Sequence, residues 1–381
     1  MAEGVGCADA FHGKDLTSMS FSNPPRPANR FIALDSLRGF AALAVVINHN
    51  LNLFPLFGGP GASVSPEEAA FLRSPLALLW DGRGAVAVFF VLSGFVLALP
   101  WIRGQPIGYA AFAVRRVCRI YLPYVVAIAL AMALSTALAP LRPSNVSVWF
   151  DRGNWTDPVS GAAILSHLLM LGDYNTFDNA VWSLDHEMRI SLVFPLLVWP
   201  IWRFGGWSAA VLAVGLYGGA GVITHFLGWR GVSGEVAATV RYAAFFVLGA
   251  GLACYADKLS ALRVPFLAPV TLVAGLLLLW VTREPAVMAA GSALLILAIL
   301  LPSGIRGALS RPWPVALGRI SYSLYLIHLL VILSSVHLLY EILPLPVIAG
   351  GAFVVSLLAA WLFHRWVEAP SNRLGRRLTG A

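Results

Sequence analysis

Val88-Phe89-Phe90-Val91-Leu92-Ser93-Gly94-Phe95 lies inside a run, 76–100, whose side chains are almost all apolar. A helix needs about 20 mostly apolar residues to cross the hydrocarbon core of a bilayer, and this run is long enough. Working outward, runs of the same kind recur at 32–53, 120–140, 181–202, 207–228, 237–256, 264–282, 286–302, 316–340 and 346–367. Proline and glycine mark the joints at Pro140–Pro143, Gly205–Gly206 and Pro344–Pro346, where helices end. The expected fold is all-α: a polytopic transmembrane helical bundle of about ten spans. The interval 141–180 is more polar. Its apolar piece Ala162–Leu171 is too short to span and reads as a re-entrant or interfacial helix.

Composition agrees with that reading. The 381 residues are 59% hydrophobic and 12% charged, with a mean hydropathy of +0.77. Soluble domains carry about 25% charged residues, so a soluble globular enzyme, a disordered chain and a coiled coil are all disfavoured. The net charge of +8 does not point to nucleic acid. Lys14 and Lys258 are the only lysines, and the arginines cluster in the gaps between apolar runs, as cytoplasmic loops of membrane proteins do. Arg103, Arg115, Arg116, Arg119, Lys258, Arg263, Arg306, Arg311, Arg373, Arg376 and Arg377 fall on one side if the N-terminus is cytoplasmic. Arg73, Arg142, Arg152, Arg230 and Arg283 fall on the other. Both termini are therefore expected in the cytoplasm, and the protein is expected as a multi-pass component of the cell membrane.

Residues 1–30 are polar, hold Pro24, Pro25 and Pro27, and lack the apolar stretch of a signal peptide. They read as a flexible cytoplasmic tail, residues 31–368 as the transmembrane domain, and 369–381 as a C-terminal cytoplasmic tail. Cys7, Cys118 and Cys254 are odd in number and without metal-ligand spacing, so free thiols and no metal are expected. Asn145-Val-Ser147 and Asn154-Trp-Thr156 match a glycosylation acceptor, a pattern short enough to arise by chance. No internal repeat of the kind common in transporters is evident.

The charges inside the spans carry the most information, because one at a helix centre costs about 2.5–3.5 kcal/mol on insertion scales. Leu34-Asp35-Ser36-Leu37-Arg38 opens the first span and Ile47-Asn48-His49 closes it. Eleven residues separate Arg38 from His49, about three helical turns and roughly 16 Å, so both lie on one stripe with Asp35 near it. An interfacial anchor with a hydrogen-bonded histidine accounts for that stripe, and so does a functional site. In Arg115-Arg116-Val117-Cys118-Arg119, a helix puts Arg119 beside both Arg115 and Arg116. Such guanidiniums suit bidentate phosphate recognition or simply mark topology. Trp182-Ser183-Leu184-Asp185-His186-Glu187 puts Ser183 and Glu187 one turn apart. Ser321, Tyr325 and His328 form a polar ridge on the ninth run.

Taken in order, these elements resemble the acyltransferase-3 family of integral membrane acyltransferases. The resemblance rests on Arg38 with ten residues before His49, the Phe89–Phe95 stretch, Arg116-x-x-Arg119, Trp182-Ser-Leu-x-x-Glu187 and Ser321-Tyr-Ser-x-Tyr-Leu-x-His328. It covers about 30–370, so 31–368 reads as an acyltransferase-3-like transmembrane domain. Two departures from the family pattern stand out: Ala87 in place of an acidic residue, and Met188-Arg189-Ile190-Ser191 after Glu187. The resemblance implies transfer of an acyl group, acetyl above all, from cytoplasmic acyl-CoA (acetyl-CoA) to a hydroxyl of a carbohydrate or glycolipid acceptor.

The resemblance also implies His49 as catalytic base, with Glu187 or Asp35 orienting it or stabilising its charged form. Arg38, Arg115, Arg116 and Arg119 are expected at the donor, and Ser183, Tyr325 and His328 at the acyl carbonyl or the acceptor. An imidazole takes a proton near neutral pH, as this chemistry requires. The competing expectations are a secondary transporter with an intramembrane charged path and a non-enzymatic scaffold.

Overall fold

The computed structural model describes residues 31–57, 65–105, 107–141, 143, 146–173, 176–228 and 230–380. The tail 1–30 with Cys7, and also Arg142 and Asn145, lie outside the described residues. Among the described residues ten long helices follow one another: α1 (Ile32–Leu51), α2 (Gly82–Ile102), α3 (Tyr109–Leu141), α4 (Trp182–Phe204), α5 (Trp207–Leu227), α6 (Gly231–Cys254), α7 (Leu267–Val281), α8 (Pro285–Leu300), α9 (Pro312–Leu339) and α10 (Leu345–Leu378). Among the described residues there is no strand.

All ten apolar runs are helical, and seven of the helices are long and apolar enough to cross a membrane: α1, α2, α3, α5, α6, α9 and α10. The other three fall short for different reasons. α7 and α8 have only 15 and 16 residues, and α4 carries Asp185, Glu187, Arg189 and Arg203. The outward faces are apolar, with Leu196, Val214 and Phe226 each about three-quarters exposed. Contact with water costs such surface about 25 cal/mol per Å², a cost that hydrocarbon removes.

Two boundaries differ from expectation. α3 begins at Tyr109 rather than at 120, so the helical turns that carry Arg115, Arg116 and Arg119 are continuous with the third span, around a π-turn at Val117–Tyr121. α10 does not stop at 367. It passes through a second π-turn, His364–Glu368, and continues as helix to Leu378, so most of the expected C-terminal tail is part of the bundle. π-turns insert a residue and re-aim side chains, and they recur at functional sites.

α1 packs along α9, and α2 along α6. Both pairs meet backbone to backbone. A Cβ on Gly318 of α9 would stand 2.1 Å from the Asp35 carbonyl oxygen on α1, and one on Gly94 of α2 would stand 1.9 Å from the Phe246 carbonyl oxygen on α6. Small residues therefore permit close approach, as the Ser93-Gly94 pair suggests. α9 also packs on α10 and α3, and α4 packs on α6.

The interval 141–180 forms two short helices, Val148–Gly153 and Gly161–Leu168. Arg189 fixes it to α4 and α6, donating to the carbonyls of Met170 and Leu171 at 2.6 and 3.0 Å and to Glu235 at 2.9 Å. Asn154 is buried, with its amide donating to the Trp149 carbonyl. A glycan cannot be attached there in this fold, so that acceptor match is fortuitous. Cys118 is a free, buried thiol, and Cys254 is half-buried.

Candidate active site

The N-terminal turns of α1 and α9 and the C-terminal half of α10 surround a cavity of about 340 Å³. Asp35, Arg38, Ser93, Arg119, Ser183 and Glu187 line it. An adjoining cavity of about 500 Å³ shares Asp35, Arg38, Ser93 and Arg119 and adds Arg116 and Arg103. Arg116 and Glu187 form an ion pair at 3.2 Å with both side chains largely withdrawn from solvent, and Ser93 also donates to Glu187 at 3.1 Å. A charge so placed is tolerable because its partner is there. Within the π-turn of α3, the Ile120 carbonyl accepts from Tyr322 of α9 at 2.8 Å. Arg115 points elsewhere, donating to Thr379 at 2.8 Å.

A separate cavity of about 570 Å³ lies toward the other end of α1. His49, Asn48, Trp80, Asp81, Trp182 and Arg283 are among its lining residues. Asp81 and Arg283 form an ion pair across it. His49 Nδ1 and His328 Nε2 are 2.8 Å apart, in rings inclined by only 4°. Trp149, from the short helix after Ser147, lies 5.5 Å from the His49 ring in parallel orientation.

The histidine pair has a defined polarity. His328 Nδ1 is 2.9 Å from the Leu324 carbonyl oxygen, and a carbonyl oxygen only accepts. His328 therefore carries its proton on Nδ1, and in the neutral pair its Nε2 is a lone pair. That lone pair must accept from His49 Nδ1–H. His49 Nε2 is then the unprotonated nitrogen, the form a general base requires.

The two cavities meet at one side chain. Tyr325 lines both, its hydroxyl donating to the Ala180 carbonyl at 2.7 Å and standing 2.7 Å from Ser183 Oγ. This Ser183–Tyr325–Ala180 bridge is the partition between the Arg38 side and the His49 side.

The structure thus brings together His49 and His328, Ser183 and Tyr325, and Glu187 and Arg116. His49 is not hydrogen-bonded to Glu187 or Asp35, the two carboxylates expected to orient it. Those carboxylates face the arginine-lined cavity, and the partner of His49 is His328. Arg115 is outside both cavities. Arg319, His364, Glu368 and Asn372, which the sequence did not single out, also line the smaller cavity, as do Arg373 and Arg376, read from the sequence only as cytoplasmic charges. Glu368 bonds to Ser323 at 2.6 Å and to His364 at 2.9 Å. A carboxylate directly following an apolar run was the available signal for that group. Among the described residues, no three His, Cys, Asp or Glu side chains form a group able to hold a metal.

A family model described as an acyltransferase domain, acyltransferase-3, matches residues 31–365. The chain belongs to the acyltransferase-3 family. It is also 32% identical over 200 residues to acyltransferase MdmB of Streptomyces mycarofaciens, a match covering 50% of this chain and 47% of that protein. The chain thus aligns with about half the length of this relative. No solved structure matches it. Family membership and the apolar helices together make this a multi-pass membrane protein of the acyltransferase-3 class.

Proposed function

We propose that the protein moves an acyl group, acetyl in the simplest case, from cytoplasmic acyl-CoA to a hydroxyl of a carbohydrate or glycolipid on the far side of the cell membrane. The observation that carries this reading is the pair of cavities meeting at Tyr325, cationic on one side and holding the His49 base on the other. In this reading α4, α7 and α8 also cross the bilayer, giving ten spans with both termini cytoplasmic. The arginine-lined cavity then faces the compartment in which acyl-CoA is made.

Arg38 and Arg119 meet the donor's phosphates by charge-assisted hydrogen bonds, while Arg116 is held in place by Glu187. The acceptor hydroxyl enters the His49 cavity. Its oxygen attacks the thioester carbonyl as its proton passes to His49 Nε2. Collapse of the tetrahedral intermediate breaks the C–S bond, and the proton on His49 goes to the departing CoA sulfur. His328 keeps His49 in the reactive tautomer and shares the positive charge that develops. The Tyr325 hydroxyl, released from Ala180, donates to the developing oxyanion. This proton traffic uses His49 and His328 where a carboxylate was expected, and it leaves Asp35 to balance the charge of Arg38.

The test uses the purified chain in liposomes with radiolabelled acetyl-CoA and a glycolipid extract. Label in a new ester supports transfer, whereas unmodified substrate carried across the bilayer identifies a transporter. Deleting the gene and weighing surface glycans and small glycolipids by mass spectrometry names the acceptor through the missing acyl increment.

A further inference from the structure

From the mouth of the smaller cavity we infer that the C-terminal end of α10, with Arg319 of α9, is a clamp for the 3′-phosphate of a nucleotide-bearing thioester donor. The inference rests on the acyl-CoA reading above and assigns a part of the donor that Arg38 and Arg119 do not reach.

Arg319, Arg373 and Arg376 all line the cavity and are exposed at its rim. None of them is in an ion pair among the described residues. Two of the cavity's carboxylates are already engaged: Glu187 by Arg116 and Ser93, Glu368 by His364 and Ser323. A helix C-terminus favours cations in its last turn, which accounts for Arg376 alone. It does not account for Arg319, from a different helix, sharing the same rim. Unneutralised guanidiniums converging from two helices form a site for an anion with several acceptor oxygens.

Depth selects which anion. Along α9, Arg319 precedes Tyr325 by six residues, about 9 Å of helix. Along α10, Arg376 follows Glu368 by eight residues, about 12 Å. Arg38 and Arg119 are half-buried beside Glu187, whereas Arg319, Arg373 and Arg376 are exposed. An acyl-CoA with its thioester at Tyr325 lays its slender pantetheine arm inward and its diphosphate near Arg38 and Arg119. Its bulky adenosine end, which carries a phosphate monoester of charge about −1.5 to −2, is left at the rim. The continuation of α10 past its π-turn places Arg373 and Arg376 there, and Gly375 lets that helix lie against Cys118 of α3.

The test measures binding of CoA and of 3′-dephospho-CoA to the full chain in phosphatidylcholine nanodiscs. The wild type is expected to bind CoA at least about tenfold more tightly than 3′-dephospho-CoA. In Arg319→Ala/Arg373→Ala/Arg376→Ala, CoA affinity falls to that of 3′-dephospho-CoA, whose own affinity is unchanged. Arg377→Ala removes a charge from the same turn outside the cavity and is expected to change neither. An equal loss for both ligands, or no loss for CoA, overturns the clamp while leaving the donor reading standing. A loss seen only in anionic bilayers assigns these arginines to lipid headgroups and also overturns it. If the wild type binds neither ligand, the acyl-CoA reading and the clamp fail together.

Discussion

Replacing His328 tests how the base is set. The His49–His328 hydrogen bond is 2.8 Å long, His328 is fully buried, and its other nitrogen is committed to Leu324. His328→Leu leaves His49 Nδ1–H without its acceptor. A buried donor left unpaired costs about 1–3 kcal/mol, and His49 can escape part of that by moving its proton to Nε2, which removes the base. A loss of the same size in the transition state corresponds to roughly a 5- to 150-fold lower rate. His328→Gln places an amide oxygen near the position of Nε2 and is expected to retain most of the activity. The assay is transfer of label from acetyl-CoA into ester in membranes matched for chain level. Because the two histidines act as a unit, His49→Ala/His328→Leu is expected to be no slower than His49→Ala alone. Wild-type transfer by His328→Leu, or a glutamine variant as slow as the leucine variant, refutes the tautomer argument.

Other parts of the structure make their own predictions. Glu187→Gln strands the Arg116 charge in a largely buried position and should lower the thermal unfolding midpoint in detergent, by an amount corresponding to about 3–5 kcal/mol; adding Arg116→Gln should recover part of it. Gly318→Ala sets a Cβ 2.1 Å from the Asp35 carbonyl, so α1 must move away from α9. An overpacking cost of about 1–3 kcal/mol and at least a tenfold loss of transfer are expected, read by the same unfolding and label assays. Asp178, in the loop before α4, is fully buried with one carboxyl oxygen on the Ala180 amide and the other without a partner, and burial pushes its pKa up to about 7. The folded chain then holds that proton while the unfolded chain releases it near pH 4, so stability falls as pH rises from about 4 to 7 and levels off above. Asp178→Asn should remove that fall, raising the midpoint at pH 8 relative to wild type by an amount corresponding to up to about 4 kcal/mol.

The helices were legible because a bilayer demands long apolar runs, and each of the ten runs is helical. Positions on a single helix were legible too. Ser321 and Tyr325 share one wall of a cavity, as an i, i+4 ridge requires, and Ser183 and Glu187 line the same cavity. What periodicity within one helix cannot supply is the facing helix. Nothing along α1 distinguishes a histidine on α9 from a carboxylate on α4 as the partner of His49. The choice is made by the Gly39–Gly318 contact, which brings α9 against α1. The π-turns were also invisible. Of the expected arginine group, Arg116 and Arg119 line one cavity, while Arg115, about 100° round the helix from Arg116, bonds to Thr379. The π-turn in α10 makes an expected tail part of a cavity wall.

The most direct test of the account is His49→Ala, measured for transfer and for CoA binding on the same purified chain. The account predicts that transfer falls by about 10²–10⁴-fold, the contribution of a positioned base, while CoA binds as in the wild type because His49 lines only the other cavity. Transfer at the wild-type rate, with the chain present at the wild-type level, contradicts it.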